Sequence, residues 1–381
     1  TNFKKRMGSI KNLSHLKKKI NKNIDKRLAI FVAYHTFKDI PENNLNYINL
    51  LKASSFEIMY VHNGELDKKT KKELIELGCY LVIRENIGQD FGAWKDSLLL
   101  LDEYQITDQL NWILLCNDSN FCLGGKNAKD FINKFKKNLE IKNNYDFISL
   151  NCNFEGDMHY QSFFLCLSSK IFQDQKFKKF WKNYIPFDNR FHAINKGEKY
   201  FSKQILSKFK PKVIYTSYEL CKNMKTKSNN NYQTILNQLP KNFFFLETCF
   251  LNKGSQNNKD IALGISRIIN ALESYNPSHV FGILNIIYLN SPFLKKDVVR
   301  IGVFSISQIY DVLEINDLDL SDKVKHEILT SLTIQGTSYS FLNTQRIAVR
   351  KGIPQMKELY EHHHSSQTLK RMNFFRAKND S

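Results

Sequence analysis

The chain predicts an α/β fold built on a mostly parallel central sheet, and three observations carry that reading. Apolar runs of strand length alternate with helical stretches between residues 28 and 150. Such alternation makes a parallel sheet with helices on both faces, whose strands are buried on both sides. Polar segments follow three of the runs directly, at the carboxyl ends where sheets of this kind bind ligands.

Each element follows in order. Leu28-Ala-Ile-Phe-Val-Ala-Tyr34 is a buried strand, and 43–52 is helical. Phe56-Glu-Ile-Met-Tyr-Val-His62 is a second strand, closed by the turn pair Asn63-Gly64. Residues 66–77 form an amphipathic helix that stops at Gly78, a usual residue just past a helix end. Cys79-Tyr-Leu-Val-Ile-Arg84 is the third strand, and a polar loop over 85–90 leads into a helix over 92–103. Trp112-Ile-Leu-Leu-Cys116 is the fourth strand; a helix over 127–138 precedes the fifth, Asp146-Phe-Ile-Ser-Leu150. Residues 161–168 read as a further strand. Phe177, Phe180, Trp181 and Tyr184 share one helix face, which reads as core. Residues 222–233 and 253–259 read as polar loops, and the chain beyond 250 as mostly helical.

Composition removes several classes. The 381 residues are 42% hydrophobic and 24% charged, with 15 glycines and 7 prolines, which excludes wholesale disorder and collagen-like chains. The longest apolar stretch, Phe281 to Leu289, falls short of the roughly 20 residues that span a bilayer. The basic N-terminus lacks the apolar segment of a secretory signal. Seven cysteines form no CxxC pair and read as small buried side chains in a reducing compartment. The net charge is +19, of which residues 1–27 carry +9 and residues 344–381 carry +5. A nucleic-acid enzyme more often spreads positive charge along a groove in its body. Basic ends suit attachment to an anionic membrane, where each Lys or Arg contributes about 1 kcal/mol; solvated tails are the alternative.

Three segments can carry chemistry. Asn117-Asp118-Ser119 follows a buried strand, where the Asp118 carboxylate can coordinate a divalent cation that bridges a diphosphate, or cap a turn. In Glu85-Asn-Ile-Gly-Gln-Asp-Phe-Gly92, Gly88 and Gly92 permit close approach of the backbone to a ligand. Asp90 can accept hydrogen bonds from a sugar or cap the next helix. Glu155, Asp157 and Glu198 are candidate general bases for a hydroxyl nucleophile. Asp157 comes first, projecting toward the open end of the sheet; Glu198 is second, at the N-terminus of a helix over 198–208. His362, His363 and His364 read as a polar tail.

Five segments then resemble one family. Arg84-Glu-Asn-Ile-Gly-Gln-Asp-Phe-Gly-Ala-Trp-Lys95 looks like the ENxGxDFGA(W/Y)K signature of the rhamnan synthesis protein F family, and Leu115-Cys-Asn-Asp-Ser119 like its LLNDS strand end. His159-Tyr-Gln-Ser-Phe-Phe-Leu165 is similar to its HxQSxFL segment, with Phe180-Trp181 after it. Asn276-Pro-Ser-His279 and Ser291-Pro-Phe-Leu-Lys-Lys296 resemble its ending. The order is the family's, over about 28–300. Cys116 departs from an aliphatic position, and Asn117-Asp118-Ser119 is not a full DxD.

The resemblance implies a bacterial glycosyltransferase of cell-surface polysaccharide, with a GT-A-like nucleotide-sugar-binding domain over 28–250. A basic leader over 1–27, a helical region over 251–343 and a basic tail over 344–381 complete the expected organisation. By position, Asp90, Asn117, Asp118, His159 and Gln161 fall on its motifs, and with Gly88 and Gly92 would line the donor pocket. Asp118 would hold Mg²⁺ or Mn²⁺, or the donor itself. The expected reaction moves a sugar, rhamnose among the candidates, from a nucleotide diphosphate to a lipid-linked glycan such as lipopolysaccharide or capsule. The enzyme would be cytoplasmic and peripheral on the anionic inner face of the plasma membrane, with no nucleic-acid partner. A phosphotransferase of surface polymers and a basic nucleic-acid-binding protein are the alternatives.

Overall fold

The computed structural model describes residues 3–10, 13–22, 24–35, 39–140, 144–227, 232–240, 243, 246, 258–300, 303–315 and 318–331. Its strands are β1 (Met7–Ile10), β2 (Arg27–Ala33), β3 (Glu57–Asn63), β4 (Tyr80–Arg84), β5 (Trp112–Asn117), β6 (Asn120–Cys122), β7 (Phe147–Ser149), β8 (Cys152–Asn153), β9 (His159–Tyr160), β10 (Phe164–Ser168), β11 (Pro211–Val213) and β12 (Phe293–Lys295). Eight form one mixed sheet in the order β1-β4-β3-β2-β5-β10-β7-β11. The pairs β4–β3, β3–β2 and β2–β5 are parallel, and β11 is parallel to β7. Only β1 and β10 run against their neighbours.

The middle strands are buried on both faces, so their central residues are apolar and polar ones fall at the ends. Along β2, Leu28, Ile30 and Val32 join one core, and Ala29, Phe31 and Ala33 the other. The first core takes Phe91, Trp94 and Leu98 from the Gln89–Glu103 helix, and Phe177 and Trp181 from the Gln175–Asn183 helix. The second takes Tyr47 and Leu51 from Glu42–Ala53, and Phe131 and Phe135 from Gly125–Asn138. The chain runs outward from β2 through β3 to β4, then returns to place β5 on the other side of β2. The strand order therefore reverses between β2 and β5, and beyond their carboxyl ends lies the crevice position at which sheets of this kind take ligands.

Four expectations need correction. The basic leader belongs to the fold: β1 pairs with β4, and the Leu13–Lys22 helix buries Leu13, Leu16 and Ile20 in the first core. The helix expected from 92 begins at Gln89, placing Asp90 in its first turn. Residues 222–233, read as a loop, carry helix at Ser217–Lys227 and from Tyr232 on, because Leu220, Met224, Ile235 and Leu236 have a core to enter. That core also takes Ile261, Ile265 and Leu284, so no boundary at 250 separates two hydrophobic cores. The expected basic tail, with His362, His363 and His364, lies outside the described residues.

Candidate active site

The crevice is built from the ends of β2 and β5. Asp118 follows β5; its amide donates to the Val32 carbonyl at 3.0 Å, and its Oδ2 accepts from the Tyr34 amide at 3.3 Å. The side chains around it form a chain of donors in one direction. Lys295 Nζ donates to Ser119 Oγ at 2.7 Å, and Ser119 Oγ to Asn117 Oδ1 at 2.5 Å. Asn117 Nδ2 donates to Asp90 Oδ2 at 2.6 Å. The Asn117 amide orientation is thereby fixed, since its oxygen also accepts from the Ser119 amide. Lys295 arrives from the far end of the sequence because β12 pairs antiparallel with β6, setting Lys295 opposite Asn120.

Charges crowd this group. Burial first, then Asp118, pushes the Asp90 carboxyl up to about 6, although Asn117 and Lys295 oppose the shift. Burial lowers the Lys295 ammonium from the ordinary lysine range; Asp297, Glu198 and Asp90 act against it. Asp297 pairs with Arg190 at 2.8 Å. Burial works to raise its carboxyl, but Lys295 and Arg190 hold it below the usual range. Burial drives the His279 imidazole down to about 4, so it is neutral at physiological pH.

The opposite wall comes from the approach to β10. Gln161 Nε2 donates to Asn276 Oδ1 at 2.9 Å and to Ser278 Oγ at 3.1 Å. Ser162 donates its amide to Glu198 Oε1 at 2.5 Å, and His159 Nε2 stands 3.6 Å from Glu198 Oε2. His159 Nδ1 donates to the Asp157 carbonyl at 2.6 Å, which leaves Nε2 facing Glu198. The Phe163 ring lies 4.4 Å from the Lys295 ammonium. All five sequence segments that suggested a family thus meet around one crevice, although they are scattered along the chain.

A family model for rhamnan synthesis protein F, RgpF, matches residues 58–350. The chain belongs to the rhamnan synthesis protein F family. The uncharacterized protein y4gN of Sinorhizobium fredii (strain NBRC 101917 / NGR234) is 23% identical over 221 residues, which is 56% of this chain. The match spans 55% of that relative's length. Among solved structures, the glycosyltransferase GlyE of Streptococcus pneumoniae TIGR4 is 12% identical, with a TM-score of 0.26 over 65% of this chain and 63% of its own.

Within this rhamnan synthesis protein F fold, not every residue singled out in the sequence reaches the crevice in the expected way. Glu155 and Asp157 are exposed on the turn between β8 and β9, and Asp157 enters the network through its backbone carbonyl. Glu198 is not at a helix N-terminus. It sits inside a π-helical segment, Ala193–Lys199, that continues into the Tyr200–Gln204 helix. A Cβ on its neighbour Gly197 would stand 2.9 Å from the Phe91 ring, so a small residue is needed for this segment to close on the Gln89–Glu103 helix. Gly88 has φ +74°, and a Cβ there would lie 2.2 Å from Pro186 Cβ. Gly92 would likewise meet the Ile87 carbonyl at 2.2 Å. What approaches these two glycines is the chain's own backbone and Pro186, while the Gly88 amide donates to Asp188 Oδ1 at 2.6 Å. Lys295, Lys296, Arg190 and Asp297 were missed as site residues. The one signal for the first two was their place in the Ser291–Lys296 segment.

The residues do not fit a divalent cation well. Among the described residues no group of three or more His, Cys, Asp or Glu side chains could hold a metal. Asp118 Oδ2 already faces Lys296 Nζ at 3.9 Å, and the Asn117 oxygen is taken by Ser119. A dication on Asp118 would meet an ammonium of like charge.

Proposed function

We propose that this chain is a GT-A-like glycosyltransferase that moves a sugar from a nucleoside diphosphate onto a lipid-linked cell-surface polysaccharide. Membership of the rhamnan synthesis protein F family supports polysaccharide synthesis and makes rhamnose a donor sugar to test. The observation that carries the reading is the convergence of Asp90, Asn117, Asp118 and Ser119 with Glu198 and Lys295 where the strand order reverses.

In this reading Asp90, Asn117, His159 and Gln161 shape the donor pocket, and Asp118 orients the donor. Glu198 is the favoured base. Its carboxylate is held by an amide hydrogen bond and faces His159, whereas Glu155 and Asp157 lie out on a turn. The acceptor oxygen bonds to the anomeric carbon and its proton passes to Glu198. The bond from that carbon to the diphosphate oxygen breaks, and the electron pair stays on the diphosphate. No helix among the described residues is long and apolar enough to cross a membrane. Access to a lipid-linked acceptor would then come from peripheral attachment.

The test is a screen of UDP-, GDP- and dTDP-linked sugars for binding, hydrolysis and transfer, with and without Mg²⁺ or Mn²⁺. At least one donor should bind and turn over slowly without acceptor. Silence across the whole panel would remove the reading.

A further inference from the structure

Among the described residues Lys295 is a cation with no carboxylate in ion-pair contact, although Asp297, Glu198 and Asp90 act on it from farther off. Its ammonium is partly buried and donates to a neutral hydroxyl, Ser119 Oγ. It forms no ion pair within 4.0 Å among the described residues. The acids whose charge acts on it have other partners: Asp297 is held by Arg190, Glu198 by the Ser162 amide, and Asp90 by Asn117. A charge withdrawn from water without an ion-pair partner is costly unless it is reserved for something that arrives. An ammonium has three donor directions, of which Ser119 takes one. Lys296, next in the chain, brings a second ammonium to the same end of β5, 3.9 Å from Asp118. Lys295 ends β12 and Lys296 opens the Lys296–Arg300 helix after it, so the β6–β12 pairing places both by backbone geometry.

We propose that Lys295 and Lys296 form the diphosphate subsite of this crevice and supply the positive charge that a divalent cation would otherwise bring. The proposal rests on the donor being a nucleoside-diphosphate sugar. When the glycosidic bond breaks, the departing diphosphate keeps the bonding pair and gains one negative charge. Ammonium donors already in place stabilise that charge as it develops, without reorganisation. The Ser119–Asn117–Asp90 chain ties Lys295 to the donor pocket, so diphosphate and sugar are registered against each other.

Calorimetric titrations of the full chain with inorganic pyrophosphate, and with UDP, GDP and dTDP, test this. Each is run in EDTA and again with Mg²⁺, on wild type, Lys295→Met, Lys295→Arg and Lys296→Gln, with melting curves for all four. Wild type should bind pyrophosphate and at least one nucleotide in EDTA. Lys295→Met and Lys296→Gln should each weaken both by about tenfold or more, the loss of one charge-assisted contact, with Lys295→Arg retaining more. Lys296→Gln keeps the test valid if Lys295→Met does not fold. Binding that needs Mg²⁺, or that ignores both lysines, overturns the subsite; the donor reading survives if a nucleotide still binds. Lysine-dependent binding of pyrophosphate with no nucleotide bound overturns the donor reading and leaves the subsite. No binding of either overturns both.

Discussion

At Asp90, burial and hydrogen bonding pull in opposite directions, and burial wins. The carboxyl titrates near 6 in the fold against 3.8 when free. As pH rises from about 4 to about 6, the unfolded chain releases this proton before the folded one, so Asp90 subtracts from stability across that window. Asp90→Asn keeps an acceptor for Asn117 and removes the ionisation. The difference in unfolding free energy between variant and wild type should grow in the variant's favour from pH 4 to 6 and stay flat above. Parallel curves would show that Asp90 does not titrate there. Asp118→Asn should lower transfer roughly 10²-fold, about 2.7 kcal/mol, with little change in melting; near-normal turnover would take Asp118 out of the mechanism. Glu198→Gln should lose at least as much kcat, while Asp157→Asn keeps most of it, and the reverse order would exchange their roles. Asn117 and Asp118 were legible because they sit at the end of a buried strand, and Asp90 because it closes the polar segment that follows another. Lys295 was not, since its contact with Ser119 joins residues 176 positions apart.

The Gln89–Glu103 helix is tied down by charge as well as by packing. Asp96 is fully buried and takes Arg84 Nε at 3.1 Å and Nη2 at 2.9 Å, together with a contact from Arg6 on the chain entering β1. Arg84 also donates to Asn63 Oδ1 at 2.6 Å, so one carboxylate joins β1, β4, β3 and the helix. Asp96→Ala leaves two arginines without their shared anion and should cost about 3–5 kcal/mol, read by denaturant unfolding. A loss below about 1 kcal/mol would mean water replaces the carboxylate. Arg84 and Asp96 were visible in the sequence as a strand end and a helix position. Their meeting was not, because a polar residue on an apolar helix gives no sign of its partner. The helix start was misplaced for a related reason: Gly88 reads as loop, yet its left-handed backbone is what launches the helix at Gln89.

For the molecule as a whole, the leader helix combines two roles on two faces. Leu13, Leu16 and Ile20 are buried, while Lys18 and Lys22 are exposed. Deleting residues 1–24 would therefore uncover the core, and charge neutralisation is the cleaner test of membrane attachment. A Lys18→Gln, Lys22→Gln double variant should bind anionic vesicles about thirtyfold more weakly, roughly 1 kcal/mol per charge. Its melting should be unchanged, and high salt should erase the difference. Equal sedimentation at low salt would end the idea that this helix docks on lipid. By itself the sequence determined the parallel strands, most of their helices and the family, and it singled out Asp90, Asn117, Asp118, His159, Gln161 and Glu198, which the fold brings together. Each rests on local information, an apolar run of strand length or a short polar motif near the end of one. Tertiary structure decided that the basic leader is an edge strand and a core-packed helix, that the region beyond 250 shares a core with the residues before it, and that Lys295 stands beside Ser119. Those depend on which distant surfaces bury each other, and the free energy of that burial belongs to the pair of surfaces, so neither segment reveals it alone.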